Sequence, residues 1–466
     1  MRLFWAFVLA ASTLFSADWI RLKSENFEIL SSASESKSNA VLHQFEQVAG
    51  FFQQLNKTQS NNSIPVRIIL FGSQTEYIPY RMNESASAFF HPAPDADYIV
   101  LVSGSNNIQN IGLHEYVHLL IRRSHSKLPL WLEEGFADLF STLRAADSQT
   151  EIGAVPSGRA QRLFLEELLP LNTLITADRH SALYNENNRI GMFYSQSWAL
   201  THMLRLSDGF RQGFEAFFNL ILAGYPTDEA LQRAYGRSVD QVEGDLRAYI
   251  AKGRLRLVRV PIRLKKERTI LAKLDDAGFI AQLSLSNLQI QKDPFNASRS
   301  FEQLMADHPT RPEPVASLGY LQAAAGDPVK ALALMERAIN MGYRHPRLFK
   351  DYSLLQLAAG KNALFITFAR KQLELEPDDA EQRQRVAAIL FQMTDYAQAL
   401  AELQKIEKPP LDLASRQYQG IAHCAIQLGD WPLVQKSLEL LRKVSRTAEE
   451  AAEVKKIEQA IALFNP

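Results

Sequence analysis

The stretch Ile111 to Phe140, IGLHEYVHLLIRRSHSKLPLWLEEGFADLF, decides how the rest of the chain is read. Within it His114, Glu115 and His118 spell H-E-x-x-H, set among Ile111, Leu113, Val117, Leu119, Leu120 and Ile121, the apolar pattern of a buried helix. Positions four apart share one face of a helix, so both imidazoles reach one metal ion. Glu115 points slightly away, where it holds a metal-bound water rather than the metal. Two neutral nitrogens, a third donor, an open position and a nearby base are what metal-assisted hydrolysis requires. The third donor is expected from Trp131 to Asp138, WLEEGFAD.

This stretch resembles the gluzincin peptidases, whose third ligand lies in W-L-x-E-G-x-A. The pattern maps onto Trp131, Leu132, Glu133, Glu134, Gly135, Phe136 and Ala137. The resemblance implies that Glu134 is the ligand and Glu133 its exposed neighbour. His125 is the rival donor. A metzincin would need glycine where Ile121 stands and histidine where Ser124 stands, so that branch does not fit. Asp138, one helical turn after Glu134, is placed to hold a ligand histidine in its tautomer. The plain alternative is a surface carboxylate.

Downstream, Gly191 to Leu206 reads as an apolar helix presenting Tyr194, Ser195, Gln196 and His202. Its Y-x-Q-S-W-A-L run is similar to one that follows WLxEGxA in secreted bacterial peptidase-like proteins. Zincins stabilise the tetrahedral oxyanion with a tyrosine or histidine donor, so the resemblance makes Tyr194 the candidate and His202 the reserve. The bland reading is that both pack in a helical core.

Upstream, the residues predict a strand over 26–31, a helix over 39–55, a strand over 64–71, and strands over 87–90 and 98–102 around a turn at 91–97. That order matches the upper half of a zincin fold, whose edge strand lies antiparallel to an extended substrate; here Ala88 to Val102 would include that edge. His91 is read as a loop residue. Ser141 to Asn188 is irregular apart from a helix over 160–168, and Phe210 to Gly253 reads as helices closing the domain. Arg254 to Ile270 is a basic strip, expected as a solvated strand face.

From about residue 278 the marks Lys292-Asp293, Gly326-Asp327, Gly360-Lys361, Thr394-Asp395 and Gly429-Asp430 recur at intervals of 34, 34, 34 and 35 residues. That is the tetratricopeptide period. Leu318, Gly319, Tyr320, Ala331 and Ala338 fall on the small and apolar positions of the repeat. The first copy is degenerate, and the fourth leads into a capping helix, Glu449 to Phe464. Stacked pairs bury a continuous core, and their concave face typically takes an extended peptide or another protein.

With 466 residues and a formal net charge of zero, the chain is multi-domain and has no nucleic-acid footprint. Residues 1–17 have the plan of a signal peptide with a weak cleavage site, an uncleaved anchor being the alternative. A periplasmic or extracellular protein without a stable membrane span after processing is expected. Cys424 is the only cysteine, so neither an intrachain disulfide nor a cysteine zinc cage is available.

The expected organisation is an α+β zincin-like domain over 18–253, a linker strand over 254–277, and an all-α tetratricopeptide solenoid over 278–466. What the resemblance implies is a peptidase holding one zinc ion on His114, His118 and Glu134, with Glu115 as general base and Tyr194 at the oxyanion. Its partners would be a peptide or protein substrate and a protein on the repeat array. The competing reading is a non-enzymatic adaptor with an idle or structural metal site. Glu115 favours the enzyme, because a structural site has no need of a base.

Overall fold

The computed structural model describes residues 18–56, 63–82, 87–104, 108–124, 127–146, 149–156, 158–181, 187–253, 255–262 and 270–464. The signal-like segment, His125 and five of the seven basic residues of the strip lie outside them. Arg256 and Arg259, which lie within, pair with Asp208 and Glu151.

The first part of the chain runs β1 (Ile20–Lys23), β2 (Phe27–Ser31), α1 (Glu35–Asn56), β3 (Val66–Phe71), α2 (Gln74–Tyr77), β4 (Ala88–Pro92), β5 (Asp97–Val102), α3 (Ile108–Arg123) and α4 (Leu130–Ser141). Next come β6 (Arg144–Ala146), β7 (Gln149–Ile152), α5 (Arg159–Leu165), α6 (Leu171–Thr176) and α7 (Asn187–Leu206). The main sheet has the order β4-β5-β3-β2-β1, and β9 (Ala272–Leu274) adds itself beyond β1. The strands β2, β3 and β5 are parallel, while β4 runs antiparallel to β5 with Phe90 opposite Ile99. His91 therefore lies in strand β4 rather than in a loop, and it pairs with Tyr98.

Every residue of β3 and β5 is buried, because both faces of these central strands are covered. Alternation along the strands divides the cover between two layers. Ile68, Leu70, Ile99 and Leu101 pack into the core that also holds Phe45, Leu113 and Val117 of α1 and α3. On the other face Ile69, Phe71, Tyr98, Val100 and Val102 pack against Leu285 and Leu288. Those leucines belong to Ala277–Gln289, the first helix of the C-terminal array. Polar groups fasten the same face: Arg67 reaches Ser284 at 3.1 Å, and the Asn287 amide donates to Asp95 at 2.9 Å. The array thus supplies one of the two layers that bury the sheet.

The described residues of 254–277 contribute two strands, β8 (Val258–Val260) against β7 and β9 on the main sheet. The array itself is helix pairs: 277–289 with 294–307, 313–324 with 328–340, 346–358 with 362–375, 380–392 with 396–404, and 411–428 with 431–444. The helix Ala448–Phe464 closes it, so five pairs precede the cap, one for each recurring mark. Each mark is the turn inside a pair. Asp293, Asp327, Asp395 and Asp430 cap the second helix there by accepting a hydrogen bond from its third residue. Further along, Arg347 binds the Ala96 carbonyl at 3.0 Å and pairs with Asp97. Near the end, Arg446 donates to the Ala223 carbonyl at 2.9 Å. Contact with the α+β domain therefore runs from the first pair to the last turn. No helix among the described residues is long and apolar enough to cross a membrane.

Candidate metal centre

Helix α3 carries His114, Glu115 and His118, and α4 crosses it with Glu133, Glu134 and Asp138. The close approach of α4 to α7 depends on Gly135. A Cβ at that position would lie 2.0 Å from Thr201 Oγ1 and 2.7 Å from the Ser197 carbonyl oxygen. Glycine after Glu134 is thus a packing requirement, and Trp131, fully buried with its indole N–H 3.2 Å from Thr227 Oγ1, anchors the same helix. Gly135→Ala is expected to destabilise the fold by about 1–3 kcal/mol through overpacking. Denaturant unfolding of the full chain checks this; an unchanged midpoint would show that α4 and α7 separate freely.

The two Nε2 atoms of His114 and His118 lie 3.0 Å apart, and Glu134 Oε2 is 3.3 Å from each. This atom is buried and has no properly oriented hydrogen bond. All three ligand atoms fall within 4.8 Å of one another. The remaining ring nitrogens are engaged by carboxylates: His114 Nδ1 with Asp138 Oδ1 at 2.9 Å, and His118 Nδ1 with Glu133 Oε1 at 3.1 Å. An ionised carboxylate only accepts, so both Nδ1 atoms carry a proton and, in the neutral imidazoles, both Nε2 atoms present lone pairs. Two lone pairs and a carboxylate oxygen then converge on one point, an arrangement that only a positive charge stabilises.

Proton affinities follow the same logic. Burial alone would lower the His114 pKa, but the adjacent carboxylates of Asp138 and Glu134 override it and raise it well above the usual histidine value. For His118 burial is again opposed, here by Glu133 and Glu134, and the value is pushed up to about 9. Burial would raise Glu134, yet the two imidazoles hold it far below the carboxylate range. These are donors suited to a divalent cation, and the carboxylates behind the imidazoles are the customary outer partners of such a site. The residues therefore fit zinc, with two nitrogens and an oxygen as its donors.

Asp138 is buried, bonded to His114 Nδ1 and to Arg159 at 2.7 Å, so of its two sequence readings the surface carboxylate falls and the place behind a histidine remains. Asp138→Asn would turn an amide toward Arg159 and weaken the hold on Nδ1. Metal affinity is expected to fall about 10–100-fold without loss of a ligand. Competition titration against a chelator measures it, and an unaltered affinity would remove Asp138 from the site. Glu133, expected as an exposed neighbour, is half-buried between His118 and Arg179, whose guanidinium lies 3.0 Å from its carboxylate. Its role was hidden because adjacent helix positions point about 100° apart, and only the crossing of α3 over α4 brings it to His118.

Glu115 Oε2 accepts a hydrogen bond from the Phe90 amide of edge strand β4 at 3.0 Å. A cavity of about 440 Å³ joins Phe90, Glu115, the three donors and Tyr194. The Tyr194 ring lies edge-on to His114, centroids 6.5 Å apart, with the Arg159 guanidinium 4.9 Å over its face. His202 is elsewhere. It is fully buried, bonded to the Tyr249 hydroxyl at 2.7 Å and to the Gly153 carbonyl at 3.1 Å, and does not line the cavity. Of the two oxyanion candidates only Tyr194 stands at the donors.

No family model matches the chain, and no curated protein matches it. Solved structures similar to it include YrrB, described as a TPR protein with an unusual peptide-binding site, at 14% identity and a TM-score of 0.33, covering 38% of this chain and 91% of that one. A tetratricopeptide repeat protein from Parabacteroides merdae is 16% identical with a TM-score of 0.31, covering 40% and 73%. The Naa15/Naa10 assembly bound to HypK-THB is 16% identical with a TM-score of 0.33, covering 40% and 29%. The helical array of this chain stands on its own 34-residue period and its paired helices.

Proposed function

We propose that this chain is a zinc-dependent peptidase whose repeat array recruits its substrate or a partner protein. The observation that carries the reading is the convergence of His114 Nε2, His118 Nε2 and Glu134 Oε2, each imidazole held from behind by a carboxylate. When bound, zinc would lower the pKa of a water molecule and polarise the peptide carbonyl. Glu115, beside the donors but not among them, takes the proton of the attacking water and returns it to the leaving amine. The Phe90 amide fixes the direction of that carboxylate. Tyr194 offers a hydroxyl to the developing oxyanion.

A second reading is a protein-binding adaptor in which the cluster is structural or idle. The helical array favours it, since paired-helix solenoids are binding surfaces in general. The two readings separate on metal analysis combined with cleavage of a broad peptide library by the native chain. Near one zinc per chain with chelator-sensitive cleavage supports the peptidase; zinc without cleavage of any member supports the adaptor.

A further inference from the structure

Helix α3 continues the stripe of His114 and His118 one turn further, to Arg122, since positions 114, 118 and 122 share a face. The guanidinium carbon lies 5.5 Å from the Phe90 ring centroid on edge strand β4, in the cavity shared by Glu115 and the three donors. Its neighbour Arg123 turns away, bound to Asp97 at 2.7 Å and to the Ile64 carbonyl at 2.8 Å. Arg122 is exposed and has no carboxylate partner among the described residues. Arg179, the other cation at this cavity, is held by Glu133. A guanidinium lying over an aromatic ring keeps its N–H edge available, and that edge matches a carboxylate in bidentate fashion. Charge that is not spent on a carboxylate among the described residues is left for what enters the cleft.

We propose that Arg122 selects peptides that carry a carboxylate next to the bond to be cut, an acidic side chain or the free C-terminus. This rests on the peptidase reading and names its substrate class. It is tested with the full-length chain carrying Glu115→Gln, so that bound peptide is not consumed. Four fluorescent peptides differ only in glutamate against glutamine at one position and in free carboxylate against amide at the C-terminus, and binding is followed by anisotropy. A charge-assisted hydrogen bond corresponds to a preference of about 10–100-fold for the peptide bearing the relevant carboxylate. Which pair of peptides shows it identifies the side chain or the terminus as the source. Adding Arg122→Gln should bring that preference to near unity, and Arg122→Glu should invert it toward the peptide that lacks the carboxylate. Equal binding of all four peptides, or a preference surviving Arg122→Gln, overturns the proposal. The native chain distinguishes the two claims. Cleavage of peptides without regard to their carboxylates leaves the peptidase reading standing and removes only this one. A carboxylate preference that depends on Arg122, without cleavage, does the reverse.

Discussion

Glu115→Gln is expected to keep near one zinc per chain and to lower peptide hydrolysis by about 10²–10⁴-fold, the usual contribution of a positioned general base. The reason lies in the geometry of α3. Glu115 contributes no atom to the group of three donors, so removing its charge leaves the ligands untouched. Glutamine preserves the size of the side chain, and its amide oxygen still accepts from the Phe90 amide. Only the ability to take a proton is lost. Metal content by mass spectrometry and kcat/KM on one cleaved peptide are the two measurements. A variant that retains full activity would place the base elsewhere, and one that loses its metal would make Glu115 a ligand.

Glu134→Gln should have the opposite signature, with the fold kept and the metal lost. The carboxylate is buried, 3% exposed, and its Oε2 lies 3.3 Å from each of the two imidazole Nε2 atoms. A neutral amide there removes the one anionic donor of the three. Its own N–H donors can bond the imidazole lone pairs, so the variant should fold without a cation. The affinity loss should exceed the about 10–100-fold expected for an outer partner such as Asp138. Unfolding curves with and without added zinc decide it. The native chain should be stabilised by the metal as ligand linkage requires, whereas the two curves should coincide for the variant. Zinc stabilisation equal to that of the native chain would exclude Glu134 as a ligand.

Both predictions turn on distinguishing residues that the sequence places side by side. Glu115 next to His114, and Glu133 next to Glu134, are paired in the chain and divided in space. For the first pair, helical periodicity separates the positions, because residues four apart share a face and the intervening glutamate does not. For the second pair, the resemblance to W-L-x-E-G-x-A pointed to Glu134, and the tight packing at Gly135 shows physically why this helix takes glycine after it. Glu133 was misread as merely exposed, since its partner His118 arrives from another helix. The reserve assignment of His202 had a similar cause. A histidine on an apolar helix looks the same in sequence whether it faces a cleft or a Tyr249 hydroxyl.

The sequence by itself determined what depends on short-range order. The H-E-x-x-H helix, the central strands and the 34-residue recurrence of the array all come from periodicities within a single element or turn. Only the tertiary structure decided which carboxylate stands behind which imidazole, and that Arg122 shares the cavity while Arg123 does not. It also decided that the helix Ala277–Gln289 covers the second face of the sheet. These depend on how elements far apart in the chain cross, and a crossing is set by the volumes and shapes of the side chains packed between them, which no local pattern encodes.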